Sequence, residues 1–180
     1  DGVINNDDNG AFQYSDPKKL LLGVSTALKK LNKFKSYIKI IIITNQSAVA
    51  KGYITENDLK KSLKDSLLFY ENKGILIDDI FYCPYHPKIG NKKYKKNSYL
   101  RKPKPGMILK AKNKYNIDLK KSFMIGNSMV DYQAAISAGV FPLIINNKEI
   151  KIKSKFKFYT IKRATEHIIK ILEISFLWKK

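Results

Sequence analysis

The chain has 180 residues, enough to build one domain around a hydrophobic core, and 44% of its residues are hydrophobic. Basic residues outnumber acidic ones by 35 to 15, which gives a formal net charge of +20, but all of them except Arg101 and Arg163 are lysines. Lysine lacks the bidentate fork of arginine, and these lysines are spread along the whole chain, so specific nucleic-acid binding is not expected. The absence of a long apolar stretch or a secretory leader pattern, together with a single cysteine, predicts a cytoplasmic protein without a membrane span.

Strand-like and helix-like patterns alternate along the chain. Residues 5–18 are rich in turn formers and are predicted to form a loop. Apolar periodicity and end signals predict helices over residues 20–34, 55–74, 106–115, 131–139 and 165–174. Aliphatic and aromatic runs predict strands over residues 37–43, 77–82, 123–125 and 140–145, with an edge strand over 156–160. This alternation predicts a single domain over residues 1–180, with a three-layer α/β fold around a parallel sheet and no large cap domain.

The most informative junction is the end of the first predicted strand. Four isoleucines at positions 40–43 are followed by Thr44, Asn45, Gln46 and Ser47. A run of β-branched residues suits a strand buried on both faces, and a buried parallel strand delivers the residues after it to the carboxyl edge of the sheet. Open α/β folds bind their ligands at that edge. The hydroxyls and amides of residues 44–47 donate hydrogen bonds without bulk, as an anion-binding site requires.

Residues 84–105 form a long polar connection between a predicted strand and a predicted helix. Loops of this length that lack secondary structure are usually functional or mobile. We therefore expect this segment, named the 84–105 loop below, to lie on the substrate side of the site.

Four segments are predicted to meet at one edge of the sheet, because each is expected at the end of a strand. They are residues 1–2, 44–47, 101–102 and 126–131. Together they supply carboxylates, a hydroxyl, cationic side chains and oxygen ligands for a metal ion. Phosphoryl transfer uses such a set, which provides a hard cation, charge neutralisation and a positioned acid or base.

The order of these segments resembles the haloacid dehalogenase (HAD) superfamily of phosphatases, in particular the subclass that contains heptose bisphosphate phosphatases and histidinol phosphatases. Asp1-Gly-Val-Ile-Asn5 matches the tail of the family motif Asp-x-Asp-Gly-x-Ile-Asn, and Thr44-Asn-Gln-Ser47 is similar to its Thr-Asn-Gln-Ser loop. Three further segments follow in the family's order: Tyr82-Cys-Pro-Tyr-His-Pro87, Arg101-Lys-Pro-Lys-Pro-Gly-Met107 and residues 126–135. The resemblance covers nearly the whole chain and implies a HAD-like, Rossmann-type fold.

The resemblance also implies a role for each matching residue. Asp1 matches the general acid/base that protonates the leaving sugar oxygen and then activates water. Thr44 and the backbone amides near Asn45 would hold the transferring phosphoryl group, Lys102 would neutralise its charge, and Arg101 would grip the substrate in a bidentate manner. The implied catalytic residues are Asp1, Thr44 and Lys102. The implied substrate-binding residues are Asp7, Thr44, Asn45, Gln46, Ser47, Arg101 and Lys102.

Two departures from the family pattern concern the reaction centre. The family's nucleophilic aspartate lies two positions before Asp1 and is therefore not in this sequence. The first strand of the family's fold, which carries that aspartate, is also missing from it. We expect N-terminal truncation rather than natural loss, because the other motifs are present. The family's metal-binding Gly-Asp-x-x-x-Asp reads Gly126-Asn-Ser-Met-Val-Asp131 here, so the implied metal ligands are Asp1, Asn127 and Asp131. Because Asn127 removes a negative charge beside the cation, we expect Mg²⁺ dependence with weakened affinity.

Relatives in this subclass often hold zinc through Cys-x-His and Cys-x-Cys pairs around the long loop. Cys83 is retained at the first of these positions. The other three positions hold Tyr85, Ser98 and Leu100. One cysteine and the neighbouring His86 do not form a closed tetrahedral site, so zinc is not expected. Packing of tyrosines and prolines is expected to hold the loop, unless it stays mobile until substrate binds.

The first interpretation is a Mg²⁺-dependent phosphatase that acts through an aspartyl-phosphate on a small-molecule sugar phosphate. The favoured substrate is the 7-phosphate of D-glycero-D-manno-heptose 1,7-bisphosphate, as in lipopolysaccharide biosynthesis. Three alternatives stay open: a histidinol phosphatase, a polynucleotide 3′-phosphatase, and a catalytically inactive HAD module that binds phosphate or nucleic acid. The basic surface favours the second alternative, whereas Asn127 and the missing nucleophile favour the third. The expected state is a monomer in the cytoplasm, with no membrane partner.

Overall fold

The computed structural model describes residues 2–5, 20–145 and 151–177. Its helices are α1 (Val24–Asn32), α2 (Glu56–Asn72), α3 (Gly106–Tyr115), α4 (Met129–Ala138) and α5 (Ile161–Leu177). Its strands are β1 (Ile41–Asn45), β2 (Asp79–Cys83), β3 (Phe123–Gly126), β4 (Phe141–Ile145) and β5 (Lys157–Phe158). Short 3₁₀ turns at Leu119–Lys121 and Ser154–Phe156 precede β3 and β5.

The pairs formed by strands β1 to β5 in the described residues are all parallel. β1 pairs with β2, with Ile41 opposite Asp79 and Asn45 opposite Cys83. β3, β4 and β5 form a second sheet, with β4 in the middle. Within the described residues, β1 and β3 each pair with one neighbour only, so the strands form two sheets. The predicted parallel α/β fold is confirmed, and it follows from the alternation of strands and helices, because parallel strands need crossover connections.

Buried apolar side chains lie on both faces of the strands. Ile42 of β1 and Ile125 of β3 pack against a cluster built from α1, α5 and β4. Their chain neighbours Ile43 and Met124 belong instead to a cluster that includes residues of α3 and α4. Because side chains alternate along a strand, helices cover both faces, as in a three-layer fold. Leu143 in β4 is fully buried, and burying such a side chain contributes roughly 1.5–3 kcal/mol.

Helix α2 begins where the sequence predicts a capping box. The Asp58 N–H donates to Thr55 Oγ1 (3.1 Å), and the Thr55 N–H donates to the Asp58 carboxylate (3.1 Å). This reciprocal pair satisfies backbone donors that the first turn of a helix would otherwise leave without partners. The start of α2 is therefore fixed, and it lies beside the 84–105 loop, whose Tyr94 packs against Leu59 and Leu63.

Several predicted bounds shift by a few residues. β1 begins at Ile41 rather than at residue 37, because turn hydrogen bonds over residues 33–38 use the backbone there. It ends at Asn45 rather than at residue 43, so Thr44 belongs to the strand. Helix α5 begins at Ile161, four residues before the prediction. Most of the loop predicted over residues 5–18 lies outside the described residues. None of the described helices is both long enough and apolar enough to cross a bilayer.

Candidate active site

The candidate site begins with Thr44 at the carboxyl end of β1. Thr44 and Gln46 are each 4% exposed. The Gln46 side-chain amide donates to Thr44 Oγ1 (2.9 Å), and the Gln46 N–H donates to the carbonyl of Cys83 at the end of β2 (2.8 Å). Gln46 therefore fixes the Thr44 hydroxyl and ties the segment after β1 to β2. The half-buried Ser47 follows, and its carbonyl accepts the N–H of Lys51 (2.9 Å), so the chain turns directly after the motif.

Asn45 holds the backbone of Lys102 with both halves of its side-chain amide. Its Oδ1 accepts the Lys102 N–H (3.0 Å), and its Nδ2 donates to the Lys102 carbonyl (3.1 Å). Two hydrogen bonds to one residue fix orientation as well as distance. The two motifs that the sequence places far apart are thus joined directly. Because its side chain is engaged in this way, the predicted role of Asn45 in substrate binding rests on its backbone.

The side chain of Lys102 bridges strand β1 and the first turn of helix α4. Its ammonium donates to the carbonyl of Ile43 in β1 (3.3 Å) and to Oδ1 of Asp131 in α4 (2.7 Å). The side chains of Lys102 and Asp131 are 14% and 6% exposed, so water and salt screen this ion pair weakly. The Lys102 ammonium, which the sequence predicts to neutralise charge, therefore lies at the carboxyl edge between Ile43 and Asp131.

Asp131 holds Lys102 and caps α4 at the same time. Its Oδ2 accepts the Ser128 hydroxyl (2.6 Å) and the N–H groups of Asn127 and Ser128 (3.1 Å each). Burial acts to raise the pKa of the Asp131 carboxyl, but the Lys102 ammonium and the donors at the helix start outweigh it and lower the pKa below its ordinary value of 3.8. Asp131 is therefore ionised at neutral pH. Gly126 is required beside it, since a Cβ there would lie 2.3 Å from the Asp131 Cβ.

The pairing of Asp131 with Lys102 was not predicted from the sequence, in which Asp131 is interpreted as a metal ligand. The sequence does contain a signal for the capping role of Asp131, because Ser128 and Asp131 have the spacing of a capping box. The structure shows that they form one. The ion-pair partner lies 29 positions away in the chain, so only the fold reveals it. The role of Asp131 as a metal ligand stays a prediction.

Asn127 lies against the start of the chain. A Cβ added at Gly2 would fall 1.9 Å from Asn127 Nδ2, so the Asn127 amide is in close contact with the Gly2 backbone. Asp1 and Asp7 lie outside the described residues, and their roles stay predictions. The described residues hold no group of three or more His, Cys, Asp or Glu side chains that could bind a metal ion. The oxygens of Asn127 and Asp131 are of the kind that Mg²⁺ takes, and the contact with Gly2 brings the neighbour of Asp1 to Asn127.

Arg101 lies near the end of the 84–105 loop and contacts an earlier part of the same loop. Its Nη1 donates to the carbonyl of Tyr85 (3.0 Å), and within the described residues it has no carboxylate partner. Burial lowers the pKa of the Arg101 guanidinium below its ordinary value. A half-buried guanidinium without a carboxylate is well suited to receive an anionic ligand, because its planar donors match phosphate and carboxylate groups.

Comparisons with known proteins point to one family of hydrolases. The sequence model of the haloacid dehalogenase-like hydrolases matches residues 1–139. The D-glycero-alpha-D-manno-heptose-1,7-bisphosphate 7-phosphatase of Burkholderia mallei is 36% identical over 140 residues, which cover 78% of this chain and 72% of that protein. The D-glycero-beta-D-manno-heptose-1,7-bisphosphate 7-phosphatase of Rhodopseudomonas palustris is 34% identical over 164 residues, which cover 91% of this chain and 89% of that protein.

A solved structure is similar over almost the full length. The D,D-heptose 1,7-bisphosphate phosphatase from B. bronchiseptica, complexed with magnesium and phosphate, has a TM-score of 0.78 at 25% sequence identity and covers 94% of both chains.

Proposed function

Because the chain belongs to the haloacid dehalogenase-like hydrolases, we propose that it is a phosphatase that removes the 7-phosphate of D-glycero-D-manno-heptose 1,7-bisphosphate. The family match over residues 1–139 and the two relatives that carry this activity in their names support the proposal. The observation that carries it is the partly buried Lys102 ammonium, which is held at the carboxyl edge beside the strand that ends in Thr44 and Asn45.

The chemistry follows from the charges at this edge. A transferring phosphoryl group accumulates negative charge on its oxygens, and a cation that is already fixed in place stabilises that charge without rearrangement. Lys102 supplies the cation, and the Thr44 hydroxyl supplies a hydrogen bond. Asp1 is the proposed acid/base, which gives a proton to the leaving sugar oxygen and then takes one from the water that hydrolyses the aspartyl-phosphate. The nucleophile of the family motif falls two positions before Asp1, so activity has to be measured on a protein that includes that position.

The proposed metal ion is Mg²⁺, which oxygens of Asp1 and Asn127 would hold. When bound, it supplies further positive charge to the phosphoryl oxygens. The structural relative complexed with magnesium and phosphate supports this choice. Both oxygens of Asp131 already accept hydrogen bonds, so we favour a role for Asp131 in holding Lys102 over the predicted role as a ligand.

A doubly phosphorylated substrate fits the charge of the 84–105 loop. This segment contains seven lysines and one arginine and no acidic residue. Such a concentration of positive charge raises the local concentration of anionic substrates and speeds their association. Arg101, half-buried and without a carboxylate partner among the described residues, is the proposed contact for the substrate within this field.

A substrate panel tests the proposal. The full-length protein with Mg²⁺ is expected to give its highest kcat/KM on heptose 1,7-bisphosphate, ahead of histidinol phosphate and a 3′-phosphorylated oligonucleotide. The variant Lys102→Met serves as the control for contaminating phosphatases. Turnover of the oligonucleotide alone would favour the polynucleotide phosphatase, and turnover of none of the three would favour the inactive module. The cytoplasmic location, the monomeric state and the lack of nucleic-acid partners remain predictions from the sequence.

A further inference from the structure

The 84–105 loop is fastened to helix α2 through one carboxylate. Glu56, the first residue of α2, accepts the hydroxyl of Tyr82 in β2 on Oε1 (3.1 Å) and the hydroxyl of Tyr94 in the loop on Oε2 (3.0 Å). The Glu56 side chain is 23% exposed, so both contacts are partly shielded from water. Hydrogen bonds to an ionised acceptor are stronger than those between neutral groups. One side chain therefore joins a strand, a helix and a loop.

The surroundings of Glu56 support this function. The partial positive charge at the N-terminus of α2 stabilises the carboxylate. The rings of Tyr82 and Tyr94 pack against the apolar cluster that includes Leu59, so they reach Glu56 from a fixed position. Burial and the nearby Glu56 carboxylate raise the pKa of Tyr82 to about 12, so its hydroxyl keeps the proton that it donates.

Tyr94 in turn holds the part of the loop that contacts Arg101. The Tyr94 carbonyl accepts the N–H of His86 (3.0 Å), and the His86 carbonyl accepts the N–H of Lys96 (3.0 Å). The preceding carbonyl, of Tyr85, accepts the Arg101 guanidinium (3.0 Å), while the Lys96 ammonium lies 3.8 Å from the centre of the Tyr85 ring. A short series of contacts thus leads from Glu56 through Tyr94 to Arg101.

Side-chain and backbone groups of the chain make these contacts. Across the part of the chain that the structure describes, the loop included, no cluster of His, Cys, Asp and Glu side chains is suited to a metal ion. The loop is instead held by hydroxyl–carboxylate bonds, backbone pairing between His86 and Lys95, and cation–π contact.

We propose that Glu56 is a positioning residue for substrate recognition, which acts through Tyr94 to hold the 84–105 loop and Arg101 in place. The inference rests on the proposed function, because it takes Arg101 as a contact for the sugar phosphate. It adds a residue outside the reaction centre that controls substrate affinity but not the chemical step.

Steady-state kinetics of the full-length protein test this proposal. Glu56→Gln keeps the shape of the side chain and removes the charge that holds the hydroxyls. We expect the KM for heptose 1,7-bisphosphate to rise about tenfold, the effect of losing roughly one charged hydrogen bond. Thr44 and Lys102 are untouched, so kcat is expected to stay within about twofold. The KM for 4-nitrophenyl phosphate, which carries no second phosphate, is expected to change little.

Matched variants separate positioning from a general loss of charge. Glu71→Gln removes the same charge from the exposed far end of α2 and is expected to behave as the wild type. Tyr94→Phe is expected to raise the KM as Glu56→Gln does. The double variant is expected to be no worse than Glu56→Gln alone, because Tyr94→Phe removes a contact that Glu56→Gln has already weakened. Additive effects in the double variant, or a fall in kcat at constant KM in Glu56→Gln, would overturn the proposal.

Amide hydrogen exchange tests the same proposal without any substrate. Exchange over the 84–105 loop is expected to be faster in Glu56→Gln than in Glu71→Gln, while amides in α3 and β4 keep the wild-type protection. If the loop amides of Glu56→Gln were as well protected as those of the wild type, the proposed role of Glu56 in holding the loop would be refuted. If the wild type hydrolysed 4-nitrophenyl phosphate but not the heptose bisphosphate, the proposed substrate would fail while the exchange result still decided the role of Glu56.

Discussion

Two lysine–aspartate pairs lie at opposite ends of the strands and closely resemble each other. At the amino end, the Lys35 ammonium donates to Asp78, whose Oδ2 also accepts the N–H of Ile40 (2.7 Å). At the carboxyl end, the Lys102 ammonium donates to Asp131, which also caps α4. The two carboxylates are 11% and 6% exposed. In both, burial acts to raise the pKa of the aspartate, and the lysine and backbone donors outweigh it and lower the pKa.

The difference lies in what surrounds each lysine. Lys35 belongs to the turns before β1, and Asp78 accepts a second lysine, Lys39 (3.2 Å), so the pair joins the starts of two strands. Lys102 instead touches the carbonyl of Ile43, and Asn45 holds its backbone. The same interaction therefore supports the fold at one edge and fixes a cation at the other, where parallel α/β folds bind ligands. Position on the sheet, rather than the pair itself, indicates function.

The variant Lys102→Met is expected to have the largest effect on activity. Removing a fixed cation from the reaction centre should lower kcat about 1000-fold. It also leaves the buried Asp131 without its cation, which should lower the free energy of unfolding by about 3 kcal/mol. Lys35→Met is the matched control: kcat should not change, and unfolding should lose only about 1 kcal/mol, because Asp78 retains Lys39. Kinetics and urea denaturation measure both quantities. Equal kcat values in the two variants would contradict the distinction between the edges.

The variant Asp131→Asn is expected to lower kcat about 100-fold, because a small displacement of the Lys102 ammonium is enough for such a loss. Asp78→Asn should lower the free energy of unfolding about as much as Asp131→Asn does, but it should leave kcat unchanged. Kinetics at saturating Mg²⁺ distinguish this effect from a loss of metal affinity. A wild-type kcat in Asp131→Asn would show that the Lys102–Asp131 pair, like the Lys35–Asp78 pair, has only a structural role.

The variant Asn127→Asp sharpens the same comparison at the proposed metal site. Restoring a negative charge beside the cation should lower the Mg²⁺ concentration for half-maximal activity about tenfold. Calorimetric titration with Mg²⁺ alone gives a readout that does not depend on turnover. Unchanged affinity, or wild-type activity in the presence of a chelator, would remove Asn127 from the metal site.

Acid should weaken both pairs, with the smallest effect among these predictions. Asp78 and Asp131 have pKa values below 3.8 in the folded protein, so each stabilises the fold above that pH, and the contribution is lost as pH falls through the folded value. The unfolding free energy should therefore fall as the pH drops below about 4, and it should fall less in the double variant Asp78→Asn/Asp131→Asn. Urea denaturation over this range measures the difference. An identical acid dependence in the wild type and the double variant would contradict the assigned ion pairs.

Local patterns predicted much of the fold. The spacing of Thr55 and Asp58 predicted the start of α2, and residues 106–115 match α3 as observed. β1 was placed too early because its aliphatic run extends over residues that lie in turns, and sequence pattern does not report which backbone groups a turn already uses.

The site was predicted as a set of residues but not as a set of contacts. The strand-end motifs indicated that Thr44 and Lys102 would lie at one edge. That Asn45 holds the Lys102 backbone, or that Glu56 accepts two tyrosine hydroxyls, depends on residues far apart in the chain. Neither arrangement has a fixed spacing, so no local pattern could indicate it.

The most direct test is a crystal structure of the full-length protein with Mg²⁺ and inorganic phosphate. A single phosphate is expected at the carboxyl edge, with oxygens within about 3 Å of both Thr44 Oγ1 and Lys102 Nζ. A phosphate bound elsewhere, with Lys102 contacting only Ile43 and Asp131, would contradict the assignment of Lys102 as the cation that neutralises the transferring group.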